Sequence, residues 1–350
     1  MQFFKGFLLI LFVITAITRT FHVNCKDVNL AEITAKVMDV RPQKIKLSKL
    51  GNWKGLAGKY AFSVGKKKYV LNVFSKTKVD AARKEEIELT RIFSECGIGA
   101  SFIGKAADNS MYVVEFLNGK TAKFENFHDE KILKTLANVL KKLHKCKVIM
   151  REKRQASYVK KLCQNIAKRK TAVPSSFWES YEKYKKLSNN FEMYMVLCHN
   201  NLNPQNIIIL SDKIVFINPG SCGIANLFQE LGYVTLSNGI NGHNLDIFLK
   251  EYFGRPPDME EFKTVKLAQK LACFAMSAAF FDHSESKKDK EIKMKDRVNA
   301  IDEALKSANI LPISTLIEKN TLTNPKLRKK NYIRKAAIGF YKNWLELPEK

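Results

Sequence analysis

The clearest early pattern is a two-residue alternation. Ala61-Phe-Ser-Val64 and Tyr69-Val-Leu-Asn-Val-Phe74 are rich in β-branched and aromatic residues and flank Gly65-Lys66-Lys67-Lys68, so they predict a β-hairpin closed by a glycine-containing loop. From Ala81 to Cys96 the apolar positions Ile87, Leu89, Ile92 and Phe93 recur among charges and stop at Gly97, which predicts a helix ending on a glycine cap. Tyr112 to Leu117 (YVVEFL) returns as a strand. After Asn118-Gly119 the texture changes: Ile132, Leu133, Leu136, Val139, Leu140 and Leu143 lie on one helical face as far as His144. Residues 145 to 192 are Lys-rich and helical, broken at Pro174. Ile207–Leu210 and Ile214–Ile217 predict a short hairpin across Ser211-Asp212-Lys213, and helical patterns follow over 245–281 and 295–305. The periodicity thus predicts a small strand-rich lobe giving way near Leu117 to a larger helical one, with no internal repeat.

The first residues carry a different signal. Lys5 precedes Gly6 to Ile17 (GFLLILFVITAI), an uncharged run that ends before Arg19 and His22. A charged start and an apolar run this short predict a signal peptide over residues 1–24, cleaved between Thr18 and Cys25. The alternative is an uncleaved anchor from Phe3 to Val23. Either way the rest of the chain is expected to leave the cytosol: secreted, periplasmic or in an endomembrane lumen. No later run approaches the length of a membrane span.

Composition adds bounds rather than an identity. The chain has 350 residues, 45% hydrophobic and 11% aromatic, enough apolar material for a sizeable core, which excludes disorder and a small disulfide-stapled fold. Sixty basic residues against 34 acidic ones give +26, but 49 of the sixty are Lys. Arg is the residue that grips guanine and phosphate bidentately, so a scattered Lys excess predicts a solvated basic surface and no specific nucleic-acid reader. Salt-sensitive attraction to anionic membranes stays open. The seven cysteines form no CxxC pair, which argues against a zinc site, and an odd number leaves at least one thiol outside intrachain pairing.

The informative stretch is Val196-Leu-Cys-His199-Asn-Asn201-Leu-Asn-Pro-Gln-Asn206-Ile-Ile-Ile, followed by Asp212-Lys-Ile-Val-Phe-Ile217-Asn218-Pro-Gly. A short loop beginning at His199, a hairpin and a polar residue at the exit of the second strand resemble the choline kinase and aminoglycoside phosphotransferase family. Its catalytic loop reads H-x-D-x-x-x-x-N, and its metal-binding motif is a strand ending I-D. Further likenesses extend this over roughly residues 45–285. Tyr69-Val-Leu-Asn-Val73 resembles the strand bearing the phosphate-contacting basic residue, and Glu85 or Glu86 its ion-pair partner. Gly97-Ile-Gly99-Ala and Val114-Glu115-Phe-Leu-Asn-Gly119 resemble the following turn and the hinge strand. Leu136 to His144, Glu230-Leu231 and Tyr252-Phe-Gly-Arg-Pro256 resemble later landmarks. The resemblance implies an α+β, two-lobed protein-kinase-like fold: a small antiparallel-sheet N-lobe over 25–117, a larger mainly helical C-lobe over 118–323, and a basic amphipathic tail over 324–350.

It also implies what should be there and is not. Phosphoryl transfer is mostly positioning and charge neutralisation. It uses a carboxylate base, a metal held by an Asn and an Asp, a cation on the nucleotide phosphates, and a covering loop. Asn206 remains as a metal ligand and His199 as the support of the loop, but Asn201 stands at the base position, Asn218 at the metal carboxylate and Asn72 at the basic strand position. Amide and carboxylate share a shape, so packing survives while charge is lost. Loss of a general base costs about 100- to 10,000-fold, and Mg²⁺ prefers anionic oxygen. The nearest acid, Asp212, falls in the hairpin turn.

Other candidates each carry a bland alternative. Gly55-Leu-Ala-Gly58 lies where a phosphate-covering loop should be, or forms an ordinary turn. Phe177, Trp178, Tyr181 and Tyr184 offer an aromatic wall for a quaternary ammonium, or helical core. Asp246 and Asp282 offer acidity to an acceptor pocket, or are surface groups. In the tail, Lys326, Arg328, Lys329, Lys330, Arg334 and Lys335 beside Tyr332, Ile333, Phe340, Tyr341 and Trp344 suit either a helix lying on an anionic membrane or one docking its aromatic side. Two functions follow from the resemblance. One is an exported, catalytically impaired pseudokinase acting through an unidentified protein partner or as a binding surface, with or without nucleotide. The other is an active kinase using ATP and Mg²⁺ on choline, ethanolamine or a similar amino alcohol.

Overall fold

The computed structural model describes residues 30–50, 58–75, 77–146, 148, 155–191, 194–284, 337, 338, 340, 341, 344 and 345. They form two compact units, each discontinuous in sequence. The predicted signal peptide, Gly55, the 295–305 pattern and the basic residues of the tail lie outside the described residues.

The small unit takes in the described residues from Leu30 to Ala122 and again Gln205–Ser221. Its five-stranded antiparallel sheet has the order β1-β2-β3-β5-β4, with β1 Ser48–Lys49, β2 Lys59–Val64, β3 Lys67–Val73, β4 Phe102–Lys105 and β5 Met111–Glu115. Alternation divides the sheet between two helices. Phe62, Leu71, Val73, Met111 and Val113 pack with Ala35 of α1 (Leu30–Met38), while Tyr112 and Val114 cluster with Ile87 of α2 (Asp80–Glu95). Gly97, with φ +66°, follows the C-cap of α2 in the left-handed conformation that glycine adopts without strain.

The hairpin loop is shorter than the sequence pattern suggests. Lys67 and Lys68 belong to β3, paired with Val64 and Ser63, and Gly65-Lys66 alone make the turn, with φ +60° at Gly65. Two-residue turns with positive φ match the natural twist of a hairpin, which is why the register closes there. The boundary drawn near Leu117 also differs from the division observed. β6 (Lys120–Thr121) pairs with β8 (Ile207–Ile209), which pairs with β9 (Ile214–Phe216), and Phe216 N–H donates to Ile98 O. Backbone bonding therefore ties the second hairpin to the small unit.

The large unit is helical. α3 (Glu130–Lys145) is capped by Asp129, whose carboxylate accepts from Ile132 N at 3.1 Å, and buries Leu133, Leu136, Leu140 and Leu143. α4 (Gln155–Lys168), α5 (Phe177–Ser188), α6 (Leu227–Ser237), α7 (His243–Phe253) and α8 (Met259–Ser284) complete it with a two-stranded β7–β10 ribbon, Met195–Cys198 and Gly223–Asn226. The 245–281 pattern is two helices, parted where Gly254 turns left-handed at φ +78°. Gly232 lets α6 approach α8 closely: a Cβ there would lie 2.5 Å from that of Ala268. No helix among the described residues is long and apolar enough to cross a membrane.

Candidate functional site

In the small unit one cross-strand row carries the chemistry. Lys59 of β2 lies opposite Asn72 of β3, which lies opposite Tyr112 of β5. Residues so paired hold their Cβ atoms about 5 Å apart on one face of the sheet, and this is the face covered by α2. Glu86 of α2 pairs with Lys78 and accepts from the Tyr112 hydroxyl at 3.2 Å. Burial, reinforced by the Glu86 charge, pushes the Tyr112 phenol up, so it stays a neutral donor. Partial burial pulls Lys59 below the ordinary lysine value, with the Glu86 charge opposing. Gly220 meets Glu86 directly, since a Cβ there would sit 2.7 Å from Oε2.

Lys59 is also hydrogen-bonded across the fold. Its Nζ donates to Asn218 Oδ1 at 2.7 Å, and Asn218 Nδ2 donates to Asn206 Oδ1 at 2.7 Å. An ammonium offers only hydrogens, so it fixes which end of the Asn218 amide faces it. Asn218 adopts φ +61°, a left-handed conformation that Asn tolerates better than most residues, and Ile217 N–H bonds Asn206 O behind it.

Mg²⁺ needs hard, preferably anionic oxygens with lone pairs turned toward it. Here the two expected ligands, Asn206 and Asn218, are neutral amides bonded to each other, and Asn218 already faces an ammonium. This donor set does not fit a divalent cation.

In the large unit the loop after β7 is held from behind. Glu230 of α6, 3% exposed, accepts from His199 N at 2.8 Å and Asn200 N at 2.7 Å. His144 of α3 bridges Glu230 Oε2 (3.1 Å) and the Tyr252 hydroxyl (2.5 Å). Burial works to raise the Glu230 carboxyl, but the His144 hydrogen bond and the nearby imidazoles prevail and leave it below its ordinary value. Asn200 is left-handed at φ +60°. The amide of Asn201 is engaged too: Oδ1 accepts from Asn203 Nδ2 at 3.0 Å and from the Tyr233 hydroxyl at 3.3 Å. Ligand atoms of His144, Cys198 and Glu230 lie within 4.8 Å of one another, but the carboxylate already serves backbone N–H groups, so the cluster reads as structural support.

The remaining sequence candidates separate cleanly. Asn72 is buried in the row, while Glu115 is exposed and its carboxylate accepts from Ser101 Oγ at 2.6 Å, so any hinge contact there falls to the backbone. Gly58 is described and its carbonyl accepts from Val73 N; Asp212 is exposed in its turn. The aromatic wall is core: Phe177 and Tyr184 stack on Phe274 and are fully buried, Tyr181 stacks on the same ring, and Trp178 alone is open at 41%. Tyr341 bonds Ser176 and Ser180, Phe340 stacks on Phe280, and Trp344, 1% exposed, packs on Phe274. The aromatic side of the tail therefore docks in the large unit. Asp282 pairs with Arg169 at 2.6 Å, and Asp246 sits in the first turn of α7, where a carboxylate favours the helix dipole.

A family model described as choline/ethanolamine kinase matches residues 56–302. The chain belongs to the choline/ethanolamine kinase family. Among solved structures, a choline/ethanolamine kinase family protein from Mesorhizobium loti is 14% identical with a TM-score of 0.61, covering 88% of this chain and all of its own. A choline kinase from Streptococcus pneumoniae is 18% identical with a TM-score of 0.56, covering 79% of this chain and 98% of its own. An ADP-bound aminoglycoside phosphotransferase is 17% identical with a TM-score of 0.54, covering 81% of this chain and all of its own. At such identities the structures share the fold alone. No curated protein sequence matches.

Within this choline/ethanolamine kinase frame, the sequence missed Lys59 and the role of Glu230. Reading the hairpin loop as four residues shifts the register by two, which sets Ala61 rather than Lys59 opposite Asn72. The turn chemistry of Gly65-Lys66 was the available signal. Glu230 acts on backbone N–H groups, and no side-chain motif announces that.

Proposed function

We propose that this family member is an exported, catalytically impaired pseudokinase whose fold serves as a binding or interaction surface. The hydrogen-bond chain Lys59→Asn218→Asn206 carries the reading, because it turns the would-be metal pair toward each other and toward a cation. Asn201 supports it: its carboxamide takes no proton at neutral pH. Export is supported by the charged start and apolar run of residues 5–17 and by disulfide linkage at Cys96 and Cys146, since disulfides persist in oxidising compartments. Cys163, Cys198, Cys222 and Cys273 are buried thiols. The partner is a protein or a small amino alcohol; with Phe340, Tyr341 and Trp344 buried, any membrane contact of the tail is electrostatic and salt-sensitive.

The test is ADP release by the chain lacking residues 1–24, with ATP, Mg²⁺ or Mn²⁺, and choline or ethanolamine. No release above the protein-free rate is expected. Metal-dependent release that disappears in Asn206→Leu would overturn the reading in favour of the second one, an active amino-alcohol kinase, which family membership and the intact Glu230 support of the loop favour.

A further inference from the structure

We propose that Lys59 is a built-in cation that replaces both the missing basic residue of β3 and the divalent metal, so that the small unit holds oligophosphates, nucleoside triphosphates included, without metal. The inference rests on the reading of this chain as a binding protein with an impaired catalytic apparatus, and names the ligand class of that site.

Three observations converge on it. Register sets Lys59 directly opposite Asn72, so a positive charge returns to the row where Asn72 lacks one, displaced by a single strand. Asn218 Oδ1 accepts from Lys59 Nζ at 2.7 Å, so the ammonium stands against the very amide whose aspartate counterpart would have held a metal. The carboxylate that acts on Lys59, Glu86, is already engaged by Lys78, from the turn before α2, and by the Tyr112 hydroxyl. A partly buried ammonium is weakly screened, and its attraction for phosphate oxygens is correspondingly strengthened.

The exchange is also internally consistent. With aspartate at 218, a lysine at 59 would form an ion pair and a metal would compete with that lysine for the same oxygens. With asparagine at 218, the oxygen steers the ammonium while adding no negative charge, and the spare N–H satisfies Asn206. The site thus exchanges a metal bridged by carboxylate for an ammonium steered by amide.

The experiment measures binding of ATP and of inorganic tripolyphosphate to the chain lacking residues 1–24, by calorimetry and thermal shift, in EDTA and in excess Mg²⁺. Binding of both in EDTA is expected, weakened or unchanged by Mg²⁺, with Lys59→Met losing about tenfold or more and Lys59→Arg retaining most of it. Lys59→Met with Asn218→Asp is expected to bind only when Mg²⁺ is present, and this variant also controls for a misfolded single mutant. Binding that requires Mg²⁺ in the parent chain, or that survives Lys59→Met unchanged, would overturn the proposal. So would no binding of either probe, which would leave the pseudokinase reading standing; turnover would sink that reading and leave metal-free binding to be judged on its own.

Discussion

The loop of the large unit and the amide pair of the small unit each carry an asparagine where the family's motif has an aspartate, and the two surroundings differ. Around Asn201 the architecture is kept: Glu230 still holds the backbone of His199 and Asn200, His144 still braces Glu230, and the amide oxygen is absorbed by Asn203 and Tyr233. Around Asn218 the amide oxygen instead accepts from an ammonium, that of Lys59 on β2, which under the proposal supplies the positive charge. A carboxylate that only took a proton can become an amide with nothing put in its place. One that held a cation leaves a region built for positive charge, and under the proposal the Lys59 ammonium is accommodated there.

Four measurements break or sharpen this contrast. Glu230→Ala removes a buried carboxylate that serves two backbone N–H groups and a histidine, so about 3–5 kcal/mol of stability should be lost in urea unfolding. A loss below about 1 kcal/mol would mean that the loop holds itself. Glu230→Gln keeps the volume and removes the charge, and should cost about 2 kcal/mol at neutral pH. The folded carboxyl titrates below its ordinary 4.5, so this contribution is complete above that value and disappears as pH falls through the folded one. The gap between parent and Glu230→Gln should therefore close in acid; a gap constant down to pH 3 would contradict the assignment.

Lys59→Met should behave oppositely, shifting stability by no more than about 1 kcal/mol and in the favourable direction. Its folded-state pKa is lowered from 10.5, so the unfolded chain binds the proton more tightly, and the ammonium lowers stability at neutral pH. That cost fades as pH rises toward 10.5, and parent and variant should converge there. Clear destabilisation by the methionine would show that Lys59 holds the unit together rather than being tolerated by it. Smallest of all, Tyr233→Phe removes one hydrogen bond to Asn201 and should cost about 0.5–1 kcal/mol; several kcal/mol would mark the Asn201 amide as structural in its own right.

Much of the fold was legible because it follows from periodicity. The apolar face of α3, the Gly97 stop after α2 and the paired isoleucine runs of β8 and β9 announce themselves in one dimension. His199, Asn201, Asn206 and Asn218 were legible as a spaced motif, and the packing of the tail was one of two readings its aromatic spacing allowed. What escaped depends on register or on backbone. Lys59 joins the site only when Gly65-Lys66 is taken as the whole turn, since a slip of two residues moves a different side chain opposite Asn72. Glu230 works through peptide N–H groups, which every sequence possesses. Phe177 and Tyr184 have the composition of a binding wall, and only the rings of Phe274, Tyr341 and Trp344 across from them show that they are core.

The bond from Lys59 to Asn218 spans 159 positions of the chain. A ribosome delivers the lysine long before the asparagine, and β3 through β9 must be made in between. During that interval β2 and β3 can pair locally, but their ammonium has no amide to orient it and stays in water. Closing so long a loop is slow relative to a hairpin. The Lys59–Asn218 contact is therefore among the last parts of the small unit to be assembled, and a chain released early would carry its sheet without that contact.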